Sequence, residues 1–219
     1  MTTESEKVES KSNNILKAVL IDFGGVFAEE GFRKGIRAIA QQSNVDPDIA
    51  EEAAFDLVYS TGYVLGKCNE ETFWKAIKET TGIAGDNLKL RDIILKEFQI
   101  RPWFPNIITK LREQGLIVCL LSDQTDWLDK LNDRNNFYQL FDHIFNSFFT
   151  GKSKSDPGLF DDIADKLGLN PGEIMFVDDY HGHIERAKKK GFKTHLFVEK
   201  ESFFNDLHKY FDQLNLEFV

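Results

Sequence analysis

Asp22, Ser122, Lys154 and the pair Asp178-Asp179 are the residues whose types and placement suit chemistry. Asp22 closes the apolar run Ala18-Val19-Leu20-Ile21 and is followed by Phe23-Gly24-Gly25-Val26. Ser122 closes the run Ile117-Val118-Cys119-Leu120-Leu121, and Asp178-Asp179 follow Met175-Phe176-Val177. Lys154 lies in a polar turn with Lys152, Ser153 and Ser155. An Asp carboxylate can attack phosphorus and carry the phosphoryl group, splitting one hard transfer into two easier ones. That chemistry needs a divalent ion to orient the group, a cation to offset charge, and donors for the equatorial oxygens. Asp178-Asp179, Lys154 and Ser122 suit those tasks. Mg²⁺ is the ion this all-oxygen set favours, and no His/Cys cluster competes for a softer metal. Gly24 and Gly25 allow a sharp turn and close approach to a ligand.

Each residue has a local alternative. Asp22 could be a turn residue, and Ser122 could cap the helix that contains Trp127 and Leu128. Lys154 could be a solvated loop charge, and Asp178-Asp179 could cap the helix that follows them. The conjunction decides between the two sets of roles. All four stretches sit where one edge of one sheet would gather them, at the end where open α/β sheets bind ligands.

The elements that must position them follow from pattern. Continuous apolar runs at 17–22, 117–122, 143–147, 174–178 and 193–198 read as buried parallel strands. Amphipathic helices at 106–114, 125–140, 157–167 and 181–190 alternate with them. This gives an α/β, Rossmann-like parallel sheet with helices on both faces. A long helical region, 31–100, interrupts the alternation after the first strand. Pro47 suits a first helical turn there, Asn69 an N-cap, and Thr81-Gly82 a helix end. The expected organisation is a disordered tail at 1–14, an α/β core at 15–29 and 102–219, and a helical cap at 30–101.

Composition narrows the partners. The chain has 219 residues, 42% of them hydrophobic, which suffices for a real core. Its 20 Phe read as core packing. A net charge of −9 argues against nucleic acid as a partner. A negative chain that binds an anion must concentrate positive charge locally, and Lys152 and Lys154 could do so. Lys188-Lys189-Lys190-Gly191 reads as a helix end whose cations complement its dipole. Cys68 and Cys119 have no metal-like spacing, and Cys119 reads as a small core residue. No run approaches the length of a membrane span. The first 14 residues lack the apolar stretch of a secretory signal, so the cytoplasm is the default location. Oligomeric state is left open by the sequence.

The four stretches resemble, in order, the motifs of the haloacid dehalogenase-like hydrolase superfamily, in the phosphatase branch with a helical cap after strand one. They are Leu20-Ile21-Asp22-Phe23-Gly24-Gly25-Val26, Leu120-Leu121-Ser122-Asp123, Gly151-Lys152-Ser153-Lys154-Ser155-Asp156-Pro157 and Met175-Phe176-Val177-Asp178-Asp179. Gly66-Lys67 before Phe73-Trp74 resembles a cap feature of the branch containing sugar phosphatases and the amino-terminal domain of soluble epoxide hydrolase. The resemblance implies a Mg²⁺-dependent phosphatase of a small phosphorylated metabolite, acting through an aspartyl phosphate. Asp22 would be nucleophile and metal ligand. Ser122 and Lys154 would hold the phosphoryl group, with Gly24, Gly25 and Asp123 lining its site. Asp179 and the Gly24 carbonyl would complete the metal shell, with Asp178 in or beside it. The cap would choose the substrate, with Phe32, Arg33, Tyr59, Tyr63 and Trp74 as candidates to face the site.

Three positions depart from the pattern. The family's acid/base Asp, two residues after the nucleophile, is Gly24, which keeps the carbonyl and loses the proton donor. Slow turnover and a preference for good leaving groups, such as sugar-1-phosphates or acyl phosphates, are the expected result. Asp123 stands where Asn is frequent; it could sit near the phosphate at an electrostatic cost or cap the next helix. His183 stands where Asn or Asp is usual. These departures also motivate a binding-only reading, in which a degenerate hydrolase holds a ligand or partner. A dehalogenase, with Asp22 attacking carbon, would have less use for the acidic pair. In phospho-accepting receiver domains the acidic pair precedes the phosphorylated Asp, the reverse of the order here.

Overall fold

The computed structural model describes residues 16–210. The expected tail, 1–14, lies outside the described residues. The apolar runs form five strands: β1 (Ala18–Ile21), β2 (Ile117–Ser122), β3 (His143–Asn146), β4 (Ile174–Asp178) and β5 (Lys193–Leu196). They pair in the order β3-β2-β1-β4-β5, and every pairing is parallel. β1 is therefore central, with β2 on one side and β4 on the other. The chain winds outward from β1 through β2 to β3, then crosses to β4 on the other side of β1 and on to β5, which makes the crevice at the carboxyl ends of β1 and β4 the place for a ligand.

The strands bury both faces, and alternate residues serve different cores. Val19, Ile21, Val118, Leu120, Met175 and Val177 join one apolar cluster. Ala18, Leu20, Cys119, Leu121, Ile174 and Phe176 join the other. The first face packs helices α5 (Phe104–Glu113), α6 (Trp127–Asn135) and α10 (Lys200–His208). The second packs α8 (Leu159–Leu167) and α9 (His181–Lys189), and a single turn, α7 (Ser147–Thr150), follows β3. The Phe excess is core material: Phe23, Phe27, Phe104, Phe137 and Phe141 stack within one cluster.

Four helices fill the interval between β1 and α5: α1 (Phe32–Gln42), α2 (Pro47–Ser60), α3 (Glu70–Thr81) and α4 (Asn87–Glu97). Their local grammar is as expected. Asp46 accepts from the backbone N–H groups of Asp48 and Ile49 with Pro47 in the first turn. Asn69 accepts from Thr72, and Gly82 ends α3 at φ +77°. The two chain segments that join these helices to the sheet pair with each other. Glu29 N–H donates to Gln99 at 2.8 Å, and Arg101 N–H donates to Phe27 at 3.0 Å.

Three sequence expectations need correction. The helix expected over 125–140 is α6 alone, ended by Asn136 at φ +50°, with a separate 3₁₀ turn at Tyr138–Leu140. Apolar Phe137 and Phe141 continue the helical spacing, and the left-handed Asn136 that breaks it leaves little trace in the pattern. The last strand ends at Leu196 and not at 198. Helix α10 was not anticipated, although Phe203, Phe204 and Leu207 on it are buried.

Candidate functional site

Asp22 follows β1, and its N–H donates to Val177 of β4 at 3.0 Å. This bond carries the β1–β4 pairing one residue past the strand and sets the carboxylate at the sheet's end. Asp22 is almost buried, with 7% exposure. Its Oδ1 accepts from Phe23 N–H at 2.7 Å and lies 2.5 Å from Lys154 Nζ. Lys154 Nζ also lies 2.7 Å from Asp178 Oδ2. One ammonium, 1% exposed, thus bridges two carboxylates from neighbouring strands.

The electrostatics follow from that sharing. Burial penalises the Lys154 charge, yet Asp178 and Asp22 together hold its pKa above the ordinary lysine value. Burial also works against the Asp178 charge, but Lys154 and His183 outweigh it and bring that carboxyl down to about 2. Asp178 has further support: Tyr180 N–H donates to Oδ1 at 2.8 Å, and His183 Nδ1 lies 3.1 Å from the same oxygen. Asp22 has one backbone N–H but no histidine beside it, and its burial raises its pKa well above the usual carboxylate value despite Lys154. The pair is therefore asymmetric: Asp178 holds its charge firmly, whereas Asp22 is the carboxylate most in need of another cation.

Asp22, Asp178 and Asp179 offer oxygens that all lie within 4.8 Å of one another. An all-oxygen trio of this kind fits a small hard cation such as Mg²⁺. Gly25 permits the cluster to close. It has φ +85°, and a Cβ built on it would meet Asp179 Oδ2 at 2.0 Å. Arg101 pins the same loop from outside, donating from Nη2 to Gly25 O at 3.1 Å and from Nε to Val26 O at 2.8 Å. Gly24 is different: a Cβ there would meet only Phe98, at an ordinary 3.5 Å.

The remaining candidates also find places. Ser122 is the last residue of β2 and is buried. It caps no helix, since α6 starts five residues later behind Asp126. Asp123 does not cap that helix either; its carboxylate accepts the Lys154 backbone N–H at 2.9 and 3.1 Å. It thereby ties the lysine's loop to β2, and burial raises its pKa. Lys152 does not reach the site and pairs with Asp162 at 2.5 Å. Lys190 pairs with Asp161 and Lys188 with Glu185, and neither borders the cavity described below.

A cavity of about 520 Å³ opens over these residues, bordered by Asp22, Gly24, Ser122, Asp123, Lys154 and Asp179. Helices α1 and α2 supply its opposite wall through Phe32, Arg33, Phe55 and Tyr59. Of the five expected cap residues, Phe32, Arg33 and Tyr59 face the cavity. Tyr63 and Trp74 pack on Trp127, and the Tyr63 hydroxyl bonds to Asp126. Burial raises the Tyr59 hydroxyl, with Asp123 adding to the shift, so it stays protonated. Gly66 lies against α7, where a Cβ would meet Phe148 O at 2.4 Å, while Lys67 is exposed. Glu30, Phe98, Tyr180 and Arg186 also border the cavity and had no sequence signal. Tyr180, directly behind Asp178-Asp179, and Glu30, four residues past Val26, were near enough to a motif to invite attention.

Comparison with known proteins gives a family model for haloacid dehalogenase-like hydrolases that matches residues 16–207. A D-ribitol-5-phosphate phosphatase of Bacteroides thetaiotaomicron is 24% identical over 203 residues, covering 82% of this chain and 91% of the relative. Bifunctional epoxide hydrolase 2 of Sus scrofa is 28% identical over 106 residues, 45% of this chain, and the match spans only 19% of that relative's length. (S)-2-haloacid dehalogenase 4A of Burkholderia cepacia is 27% identical over 132 residues. A solved Bacteroides thetaiotaomicron enzyme of the same family, in complex with magnesium and inorganic phosphate, superposes with a TM-score of 0.70 at 24% identity. That superposition covers 86% of this chain and 98% of the other.

Proposed function

The chain belongs to the haloacid dehalogenase-like hydrolase family, and from that premise we propose that it is a Mg²⁺-dependent phosphatase of a small phosphorylated metabolite. The observation that carries this reading is the cluster of Asp22, Asp178 and Asp179 around one buried lysine. A dehalogenase attacking carbon has less use for three converging carboxylates than a metal-dependent phosphatase has. Relatives named as a phosphatase and as a complex with magnesium and phosphate support the same choice.

In this mechanism Asp22, Asp179 and the Gly24 carbonyl would hold the ion, with Asp178 in or beside that set. When bound, Mg²⁺ supplies charge neutralisation and orientation of the phosphoryl group. A free oxygen of Asp22 attacks phosphorus, and the ester oxygen departs with the bonding pair. Lys154 offsets charge on the phosphoryl oxygens, and the Ser122 hydroxyl donates to one of them. Water then hydrolyses the aspartyl phosphate, releasing phosphate and restoring Asp22. Gly24 offers no proton to the leaving oxygen, so turnover is slow and favours leaving groups that need none. The helices at 30–101 act as the cap over the site. Their cavity wall selects the substrate, and their opening and closing admits it and excludes water.

The test is phosphate release from a panel of phosphorylated metabolites with Mg²⁺, comparing wild type with Asp22→Asn. Activity that requires Mg²⁺ and is lost in the variant is the expected result. Folded protein with no activity on any substrate would favour the binding-only reading.

A further inference from the structure

Three cations border the cavity: Lys154, Arg33 and Arg186. Two of them are already compensated. Lys154 sits between Asp22 and Asp178. Arg33 pairs with Glu51 at 2.7 Å and lies 4.6 Å over the Phe55 ring. Arg186 differs, for no carboxylate among the described residues lies within ion-pair distance of it. Its Nη1 is enclosed and finds no acceptor. A buried guanidinium N–H without a partner is costly, and each such group calls for an explanation.

Its position supplies one. Arg186 lies on α9, three residues after His183, so the two share a helix face. His183 touches Asp178, which places Arg186 one turn beyond the metal-binding end of the cavity. A planar guanidinium there is suited to a carboxylate or phosphate in a two-point contact. The reacting phosphoryl group belongs to Lys154 and Ser122 and does not need it.

We infer that Arg186 anchors a second anionic group on the substrate, which is therefore a small phosphate monoester bearing a further carboxylate or phosphate. This inference rests on the phosphatase reading for the position of the first phosphate. It makes Arg186 a specificity-determining residue, distinct from the groups that act on phosphorus. An anion there supplies the counter-charge that this cavity-bordering guanidinium lacks.

The experiment is equilibrium binding by calorimetry to Asp22→Asn protein with Mg²⁺, which needs no turnover. Two matched pairs serve as probes: 3-phosphoglycerate against glycerol 3-phosphate, and fructose 1,6-bisphosphate against fructose 6-phosphate. At least one doubly anionic member should bind about tenfold more tightly than its partner. Arg186→Gln should abolish that preference and Arg186→Lys should retain part of it, with both variants checked for folding by circular dichroism. The responding pair tells carboxylate from phosphate. Equal binding within both pairs, absent binding, or a preference that survives Arg186→Gln would overturn the inference. Phosphate release by the wild type is scored separately. Turnover without preference defeats only the second-anion claim, whereas preference without turnover defeats only the phosphatase reading.

Discussion

The backbone at Gly25 runs directly against the carboxylate of Asp179: a Cβ at position 25 would stand 2.0 Å from Oδ2. The glycine is needed twice, for that approach and for its φ of +85°. Gly25→Ala should push Asp179 out of the carboxylate cluster and weaken Mg²⁺ binding by at least tenfold. Backbone strain should lower stability by about 1–3 kcal/mol. Thermal unfolding with increasing Mg²⁺ reads both effects. Unchanged Mg²⁺ affinity would show that this contact does not set the metal geometry.

Lys154 is the second lever. Removing it as Lys154→Met leaves Asp22 and Asp178 buried and facing each other. Breaking a buried pair by deleting one partner costs about 3–5 kcal/mol, and urea unfolding without metal should show a loss of that order. Mg²⁺ should recover part of the stability, because a divalent ion can offset the same carboxylates. Phosphatase activity should stay lost, since the phosphoryl oxygens no longer have their ammonium. A variant as stable as wild type would mean that the buried triad is not held by this charge.

Gly24→Asp asks whether the absent proton donor limits turnover. The space exists, because a Cβ there makes only an ordinary 3.5 Å contact with Phe98. A positioned acid typically contributes ~10²–10⁴-fold. Hydrolysis of alkyl phosphates should therefore rise by at least tenfold, with acyl phosphates far less affected. Steady-state rates on one substrate of each kind decide it, and an equal change on both would remove leaving-group protonation as the reason for slow turnover.

Cys119 gives a pH test remote from chemistry. Burial pushes its thiol up to about 12. An unfolded thiol titrates near 8.5. Between those values the folded state holds a proton that the unfolded chain has lost, so stability falls as pH rises; below about 8.5 the contribution is fully present. Between pH 8 and 9.5 the wild type should lose about 1 kcal/mol more than Cys119→Ala. At pH 8 a thiol reagent should label half-buried Cys68 in the native protein and both cysteines only after unfolding. Native labelling of Cys119 would contradict its place in the sheet.

The residues that gather at the sheet's end were legible because chain order and strand periodicity constrain them together. Asp22, Ser122 and Asp178 each end an apolar run, and parallel pairing must bring such ends to one edge. Local charge offered Lys152 and Lys154 alike, and the motif resemblance selected Lys154. The fold supplies the physical reason, aiming one ammonium between two carboxylates and leaving the other on Asp162. Tyr63 and Trp74 had the same helical credentials as Phe32 and Tyr59. Which pair faces the cavity depends on how α1–α4 roll against the sheet, and a 3.6-residue period says only that a face is buried, not against what.

From its order of elements and its motif positions, the sequence by itself determined a parallel α/β sheet, a helical interval after its first strand, and a carboxylate cluster at its carboxyl edge. Those follow from short-range rules: apolar runs become strands, and alternation with helices makes them parallel. Tertiary structure alone decided that Gly25 presses on Asp179, that Asp123 holds the Lys154 backbone, and that Arg186 borders the cavity without a partner. Such contacts join residues far apart in the chain. Their distances depend on how each helix packs on the sheet, and packing is set by all neighbours at once rather than by local spacing.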